Sequence, residues 1–144
     1  MMLSSLTNIA EQFGLNFEYG EVTAFNLKAD KLDWENYPIC MYHEGYVSGS
    51  STEDDQGAWD SSYSVRIWLL IRNSGPNDKP IDRVPRFAQL EPLMYQLLAA
   101  MEKDYQVKSP VTFSEGVNIK LADKPLDGIR FVANCVARVS LAYC

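Results

Sequence analysis

The sequence predicts an α+β fold: a mainly antiparallel β-sheet with a main helix and a short N-terminal helix packed on one face. Three segments carry that prediction. From Ile129 to Cys144 every odd position is apolar (Ile129, Phe131, Ala133, Cys135, Ala137, Val139, Leu141, Tyr143), while the even set mixes Arg130, Asn134, Arg138 and Ser140 with Val132, Val136 and Ala142. Successive strand side chains point to opposite faces, so one face of this strand is core and the other is half wet. Tyr63–Arg72 has the same alternation, with Val65, Ile67, Leu69 and Ile71 opposed by Arg66, Trp68, Leu70 and Arg72. In residues 82–104, by contrast, Phe87, Leu90, Met94, Leu97, Leu98 and Met101 recur at helical spacing, extended by Tyr105. Helices set apart from hairpin-like strands, instead of alternating with them, indicate α+β.

Taken in order, residues 3–13 read as a short helix on Leu3, Leu6, Ile9, Ala10 and Phe13, with Ser4 or Ser5 as cap and Gly14 as stop. Residues 21–28 read as a first strand, 30–36 as a polar connection and 37–47 as a second β-rich stretch. The segment 48–62, SGSSTEDDQGAWDSS, is the one long stretch of low hydrophobicity. Between strands it reads as a long acidic loop with a mobile tip at Glu53, Asp54 and Asp55, and loops of that length are usually functional or disordered. Asp82 is placed to cap the main helix, and Pro85 suits a first turn. Pro92 predicts a kink, or a helix that begins only near Glu91. Val111–Phe113 and Val117–Leu121 read as short strands, and 122–128 as a turn into the final strand. At ~3.3 Å per residue that strand reaches roughly 50 Å, long enough to cross its sheet or overhang it. An overhang offers backbone hydrogen bonds and an apolar stripe to something else.

At 144 residues and 47% hydrophobic content, the chain is sized for a single α+β domain, residues 1–144. It has no run of 18 apolar residues and no basic leader, so the expectation is a protein made in the cytoplasm with no membrane partner. Thirteen Lys and Arg against nineteen Asp and Glu give a net charge of −6. The cations are scattered singly, which disfavours specific nucleic-acid binding. Cys40, Cys135 and Cys144 make an odd, widely spaced set that suits a reducing compartment.

Catalytic chemistry is not legible. His43 is the single histidine, and Cys40 lies three residues away, on the opposite face of a regular strand. His43 therefore reads as a half-exposed strand residue. Cys135 and Cys144 are too far apart along a strand to share a tetrahedral metal. The carboxylate pairs Asp30/Asp33, Asp54/Asp55 and Asp123/Asp127 fall in turns, where solubility and turn bonding are their ordinary roles. The expectation is a protein that is not an enzyme, with no catalytic, cofactor-binding or metal-binding residues and no cofactor. Trp68 reads as core. Trp59, an aromatic in a polar segment beside the acidic tip, reads as a candidate interface anchor.

The strand SVRIWLLIRNSG is followed by a helix of the RFAQLEPLMYQLLAAMEK type. Then comes NIKLADKPLDGIRF, an Asp and a Leu-x-Gly before a hydrophobic strand that runs to the C-terminus. This order resembles the tail terminator (tail completion) proteins of long-tailed bacteriophages over residues 63–144; the N-terminal elements match in order only. Pro92 departs from the uninterrupted helix of that layout. The resemblance implies a homo-oligomeric ring, commonly a hexamer, that stops the tail tube and presents a surface to the head–tail connector protein. Its partners would be further copies of itself, the tail tube protein and the connector, with DNA passing the lumen unbound. Its location would be the tail or neck of the virion. On this reading Glu53, Asp54, Asp55 and Trp59 are candidates for the lumen or tube contact. Arg130, Val132, Asn134, Val136 and Arg138 are candidates for the subunit interface. The alternatives are another head–tail joining protein (head completion or adaptor), or a small non-viral α+β protein-binding module with the acidic loop as its partner site.

Overall fold

The computed structural model describes residues 2–29, 31–119 and 125–140. In chain order the elements are α1 (Met2–Gln12), β1 (Asn16–Gly20), α2 (Val22–Ala29), β2 (Ile39–Glu44), β3 (Ser48–Glu53), β4 (Ala58–Arg72), a 3-10 turn (Gly75–Asn77), α3 (Pro80–Met101), β5 (Gln106–Ile119) and β6 (Leu126–Ser140). The strands form one sheet in the order β1-β2-β4-β6-β5, with β3 also beside β4. Only β1 and β2 pair in parallel; every other pair is antiparallel. The fold is α+β, as its alternating strands and segregated helices predict.

The spine is the β4–β6 pair, aligned along the whole of both strands from Ala58↔Ser140 to Arg72↔Leu126. On the other edge of β4 two strands share one lane: β2 covers Ile67–Ile71 and β3 covers Trp59–Ser64. The sheet therefore has a broad half, where β1, β2 and β5 flank the spine, and a narrow arm of β3, β4 and the end of β6.

Helices α1 and α3 cover one face of the broad half. Leu90, Met94, Leu97 and Met101 of α3 and Met2, Leu6 and Ile9 of α1 close over Val65, Ile67, Leu69, Ile129, Phe131, Ala133 and Cys135. Each fully buried Leu or Met contributes about 1.5–3 kcal/mol by leaving water. The odd face of β6 is core from Ile129 to Cys135, as its alternation predicts, with Ala137 half-buried at its edge. Residues 141–144 and 122–124 lie outside the described residues, and the strand begins at Leu126, inside the stretch 122–128 expected as a turn.

Several expectations are corrected. Residues 21–28 form helix α2, not a strand. Phe25 and Ala29 share one face at i and i+4, and Phe25 packs on Tyr42 with ring centroids 4.3 Å apart, so packing overrides the weak β-preference of Val22 and Thr23. The first strand is the short Asn16–Gly20 instead. Helix α2 covers the opposite face of the sheet, burying Trp34, Cys40, Tyr42, Leu70 and Leu126, so helices are not confined to one face. Helix α3 starts at Pro80 and runs unbroken through Pro92. Pro92 and Ala88, whose carbonyl loses its intrahelical partner, are both exposed, so water replaces the missing bond. Asp82 is not the cap residue; it sits at the third helical position and accepts from the Lys79 N–H at 2.9 Å. Helix α1 begins at Met2, ahead of both Ser4 and Ser5. The two short strands expected after α3 are one strand, β5, with register shifts between Lys108 and Thr112 and between Gly116 and Ile119.

Candidate functional site

The stretch 48–62 is not a long loop. Ser48–Glu53 and Ala58–Arg72 pair residue by residue from Ser48↔Ser64 to Glu53↔Trp59, leaving only a tight turn at the tip. Serine and threonine fit a pleated surface open to water, so low hydrophobicity here marks an exposed strand and not an absence of structure. The tip is built by Asp54. Its Oδ1 accepts from the Gln56 N–H at 2.9 Å and the Ala58 N–H at 3.0 Å, and its own N–H donates to the Ala58 carbonyl. Gly57 completes the turn at φ +80°, a conformation that costs glycine little. Gly49 is fixed by contact, since a Cβ there would lie 2.5 Å from the Ser62 carbonyl oxygen.

The helix-covered core ends near Tyr63, whose ring meets Tyr105 edge-on at 5.8 Å. Beyond it the arm carries Glu53 and Trp59 as cross-strand partners on the helix side, with Trp59 half-buried. Glu53, Asp54 and Asp55 are all exposed at the tip. The other candidates lie on the opposite face of the same spine. Val132 and Val136 are half-buried and Asn134 is exposed, opposite Arg66, Ser62 and Ser64. Among the described residues, helix α2 packs with Cys40, Tyr42 and Leu70 and not on this part of the sheet. Arg138 stands opposite Asp60, and its side chain lies outside the description. The acidic tip and the candidate interface residues are therefore carried on one continuous β4–β6 spine, with β5 beside β6 as far as Val136.

Arg130 is engaged within the subunit. Its Nε and Nη2 donate to Glu44 Oε1 at 2.7 Å and Oε2 at 3.0 Å, and the Trp68 indole N–H donates to the same carboxylate. The bond from Arg130 holds the Glu44 carboxyl below its usual range. Arg130 thus ties β6 to the end of β2.

His43 is fully buried, which corrects the half-exposed reading. Where β2 leaves the sheet and β3 has not yet begun, the Arg66 N–H has no strand partner. His43 Nε2 accepts it at 3.3 Å, and Nδ1 lies 3.1 Å from the Gly45 carbonyl, which makes Nδ1 the protonated nitrogen. Burial, followed by the nearby Arg66 charge, keeps the His43 pKa below its ordinary value despite the Gly45 bond. The imidazole is a structural plug. Cys40 and Cys135 belong to clusters on opposite faces of the sheet, and burial raises both thiols, Cys135 to about 11. Cys144, Asp30 and Asp123 lie outside the described residues.

Two constellations escaped sequence reading. Asp127 is fully buried, not a solvated turn carboxylate. Its Oδ1 accepts from Asn73 at 2.9 Å and its Oδ2 from Arg86 at 3.1 Å, while Arg86 also grips Asp78 with two bonds of 2.6 and 2.8 Å. Arg83 adds ion pairs to Asp78 at 3.0 Å and Asp127 at 3.5 Å. Hydrogen bonds from Arg86 hold the Asp78 carboxyl below its usual range. The second is an apolar groove of about 450 Å³ lined by Met2, Leu3, Tyr19, Tyr46, Val47 and Tyr63 at the base of β3. The density of tyrosine at 37–47 was its only trace in the sequence. Among the described residues no cluster of three or more His, Cys, Asp or Glu is placed to hold a metal, and no helix is long and apolar enough to cross a membrane.

No protein-family model matches the chain, and no curated protein matches it.

Proposed function

We propose that the chain is a structural subunit of the tail or neck of a long-tailed bacteriophage, a tail-terminator-like ring that caps the tail tube and joins it to the head connector. The observation that supports this most is the arm. Strands β3, β4 and β6 continue past the helix-covered core as a regular sheet with an acidic tip and a face that α2 leaves open. An element that extends beyond its own core buries little within its subunit, which suits contact with another. The open face of β6, with Val132, Asn134 and Val136, offers a heterologous contact, and a ring is what such a contact makes when its rotation closes. Tips bearing Glu53, Asp54 and Asp55, on a chain of net charge −6, would repel DNA phosphates and let a genome slide without sticking.

The test is to sediment the purified protein alone and with tail tube protein, and to image both by electron microscopy. The expected result is closed rings with a central channel, free or seated on tube ends. A protein that stays monomeric at high micromolar concentration and leaves tube ends bare sinks the reading. Replacing 53–59 by an Asn-Gly turn shortens the arm while keeping the hydrogen-bonded Thr52–Asp60 pair. Unchanged ring formation and tube binding by that variant would remove the tip from the proposal.

A further inference from the structure

Strand β3 is an open edge, and the lane beside it is vacant. Strand β1 fills that lane next to β2 but ends at Gly20, closed there by paired bonds between Gly20 and Gly45. Past Gly20, among the described residues, nothing pairs with the outer edge of Ser48–Glu53. All six β3 residues are exposed and in unbroken register with β4.

Exposed edges are normally blunted by proline, bulges, charge or brevity. The edge strand β5 follows that rule, with Pro110 and two register shifts, and β1 is only five residues long. Strand β3, one residue longer than β1, has no proline, bulge or charge before Glu53.

Its outward hydrogen-bonding groups follow from alternation. The Asp54 N–H bonds the Ala58 carbonyl, and the Arg66 N–H points to the β2/β3 side of β4. The residues of β3 that bond to β4 are therefore Ser48, Ser50 and Thr52, and those with N–H and C=O facing the vacant lane are Gly49, Ser51 and Glu53. This set is symmetric about Ser51.

We infer that two copies of this chain pair through β3, antiparallel about a two-fold axis at Ser51. Ser51 then faces Ser51 of the second copy and Gly49 faces Glu53, each pair exchanging both backbone bonds. Like charges do not meet, because the acidic tips lie at opposite ends of the paired strands. Each Glu53 comes level with Gly49 of the other copy, which presents no side chain to it, next to the Tyr63 ring. The groove there is lined by Tyr19, Tyr46 and Tyr63, with Tyr19 and Tyr46 solvent-accessible at 41% and 67%. Their phenol hydroxyls are donors, which a carboxylate requires. The contact is isologous and closes after two copies, so it stands independently of the ring reading, which needs a different surface.

Sedimentation should show a concentration-dependent dimer. Ser51→Pro removes an outward N–H while sparing the bonds to β4, and should give a monomer with unchanged circular dichroism. Ser51→Cys, with Cys144 replaced by serine, should form a reducible dimer on mild oxidation, whereas Thr52→Cys should not. In the unmodified protein the amides of Gly49, Ser51 and Glu53 should exchange about tenfold or more slowly as the dimer forms, while Ser50 and Thr52 stay protected throughout. A monomer at all concentrations overturns the inference, as do rapid exchange at Gly49, Ser51 and Glu53 in any oligomer and a Ser51→Pro dimer of undiminished affinity. A ring in which those amides exchange freely overturns the pairing and leaves the ring reading standing; a Ser51-centred dimer that never forms rings does the reverse.

Discussion

The broad half of the sheet and the arm share strands β4 and β6, yet they are held by different physics. In the broad half, helices lie on both faces, and key polar groups that burial traps are answered by a partner: Arg66 N–H by His43, Asp127 by Asn73 and Arg86. In the arm the same strands carry Ser61, Ser62 and Ser64, β3 is exposed throughout, and the backbone ladder with one aspartate-built turn supplies the order. The difference teaches where function can reside. The broad half has spent its side chains on itself, whereas the arm retains an unpaired edge and open faces.

The comparison breaks first if the buried ion cluster is dispensable. Asp127→Ala should lower the unfolding free energy by about 3–5 kcal/mol, because it strands Arg86 beside Asp78 with one counter-charge fewer. Urea denaturation measures it, and Ser50→Ala in the arm, expected within about 0.5 kcal/mol of wild type, is the matching control.

His43→Ala comes next, at about 2–4 kcal/mol, from an unpaired Arg66 N–H and the space left by the ring. Its pH signature has a definite sign. The folded His43 pKa is depressed, so the unfolded chain takes up a proton at higher pH than the folded one. The contribution is complete above the ordinary value of 6.5 and is lost as pH falls from there toward the folded value, by at most about 1.4 kcal/mol per pH unit. Denaturation at pH 7.5 and pH 5.5 should show this slope in wild type and its loss in His43→Gln. A slope that survives in His43→Gln would assign the acid sensitivity to other groups.

How much of this was legible follows from what periodicity encodes. The faces of β4 and β6 and the stripe of α3 were readable because each buries one face against a helix, and alternation reports such burial directly. The candidates Glu53, Asp54, Asp55, Trp59, Val132, Asn134 and Val136 lie off the main core, but their union on one β4–β6 spine was not legible. That union depends on β3 pairing with β4, and a run of serines carries no apolar pattern to announce it. Helix α2 was misread because Val22 and Thr23 favour strands locally, while Phe25 and Ala29 are decided by contact with Tyr42 and Trp34. Asp127 was invisible as a core residue because its partners Asn73, Arg83 and Arg86, and the Asp78 that shares the arginines, converge only when α3 docks beside the start of β6. No spacing in the sequence encodes that meeting.

Glu44→Gln sharpens the boundary between the two regions. Glu44 binds Arg130 with both oxygens and takes the Trp68 indole N–H, but its side chain and that of Arg130 remain 25% and 32% exposed. Screening by solvent limits the loss to about 1 kcal/mol. Because the Arg130 bond depresses the Glu44 pKa, that contribution is present above the ordinary 4.5 and is lost as pH falls through the folded value. A double-mutant cycle with Arg130→Ala measures the pair, and a coupling as large as the Asp127 effect would mean that the open face is as tightly locked as the covered one.

The smallest effect belongs to the tip. Asp54→Ala removes the acceptor for the Gln56 and Ala58 N–H groups, but both are near water and can be resolvated, so the cost should be about 0.5–1 kcal/mol. Asp55→Asn and Glu53→Gln should change the stability of the monomer by no more than about 0.5 kcal/mol. The loss in Asp54→Ala should be local: amide exchange should speed up for residues near the turn and stay unchanged in Val65–Leu70, whose side chains lie in or beside the core. If instead Asp54→Ala unfolded the broad half as readily as His43→Ala, the arm and the core would be one cooperative unit. The arm's freedom to trade internal contacts for contacts with another copy would then be lost, since every adjustment at its tip would be felt at Val65 and Phe131.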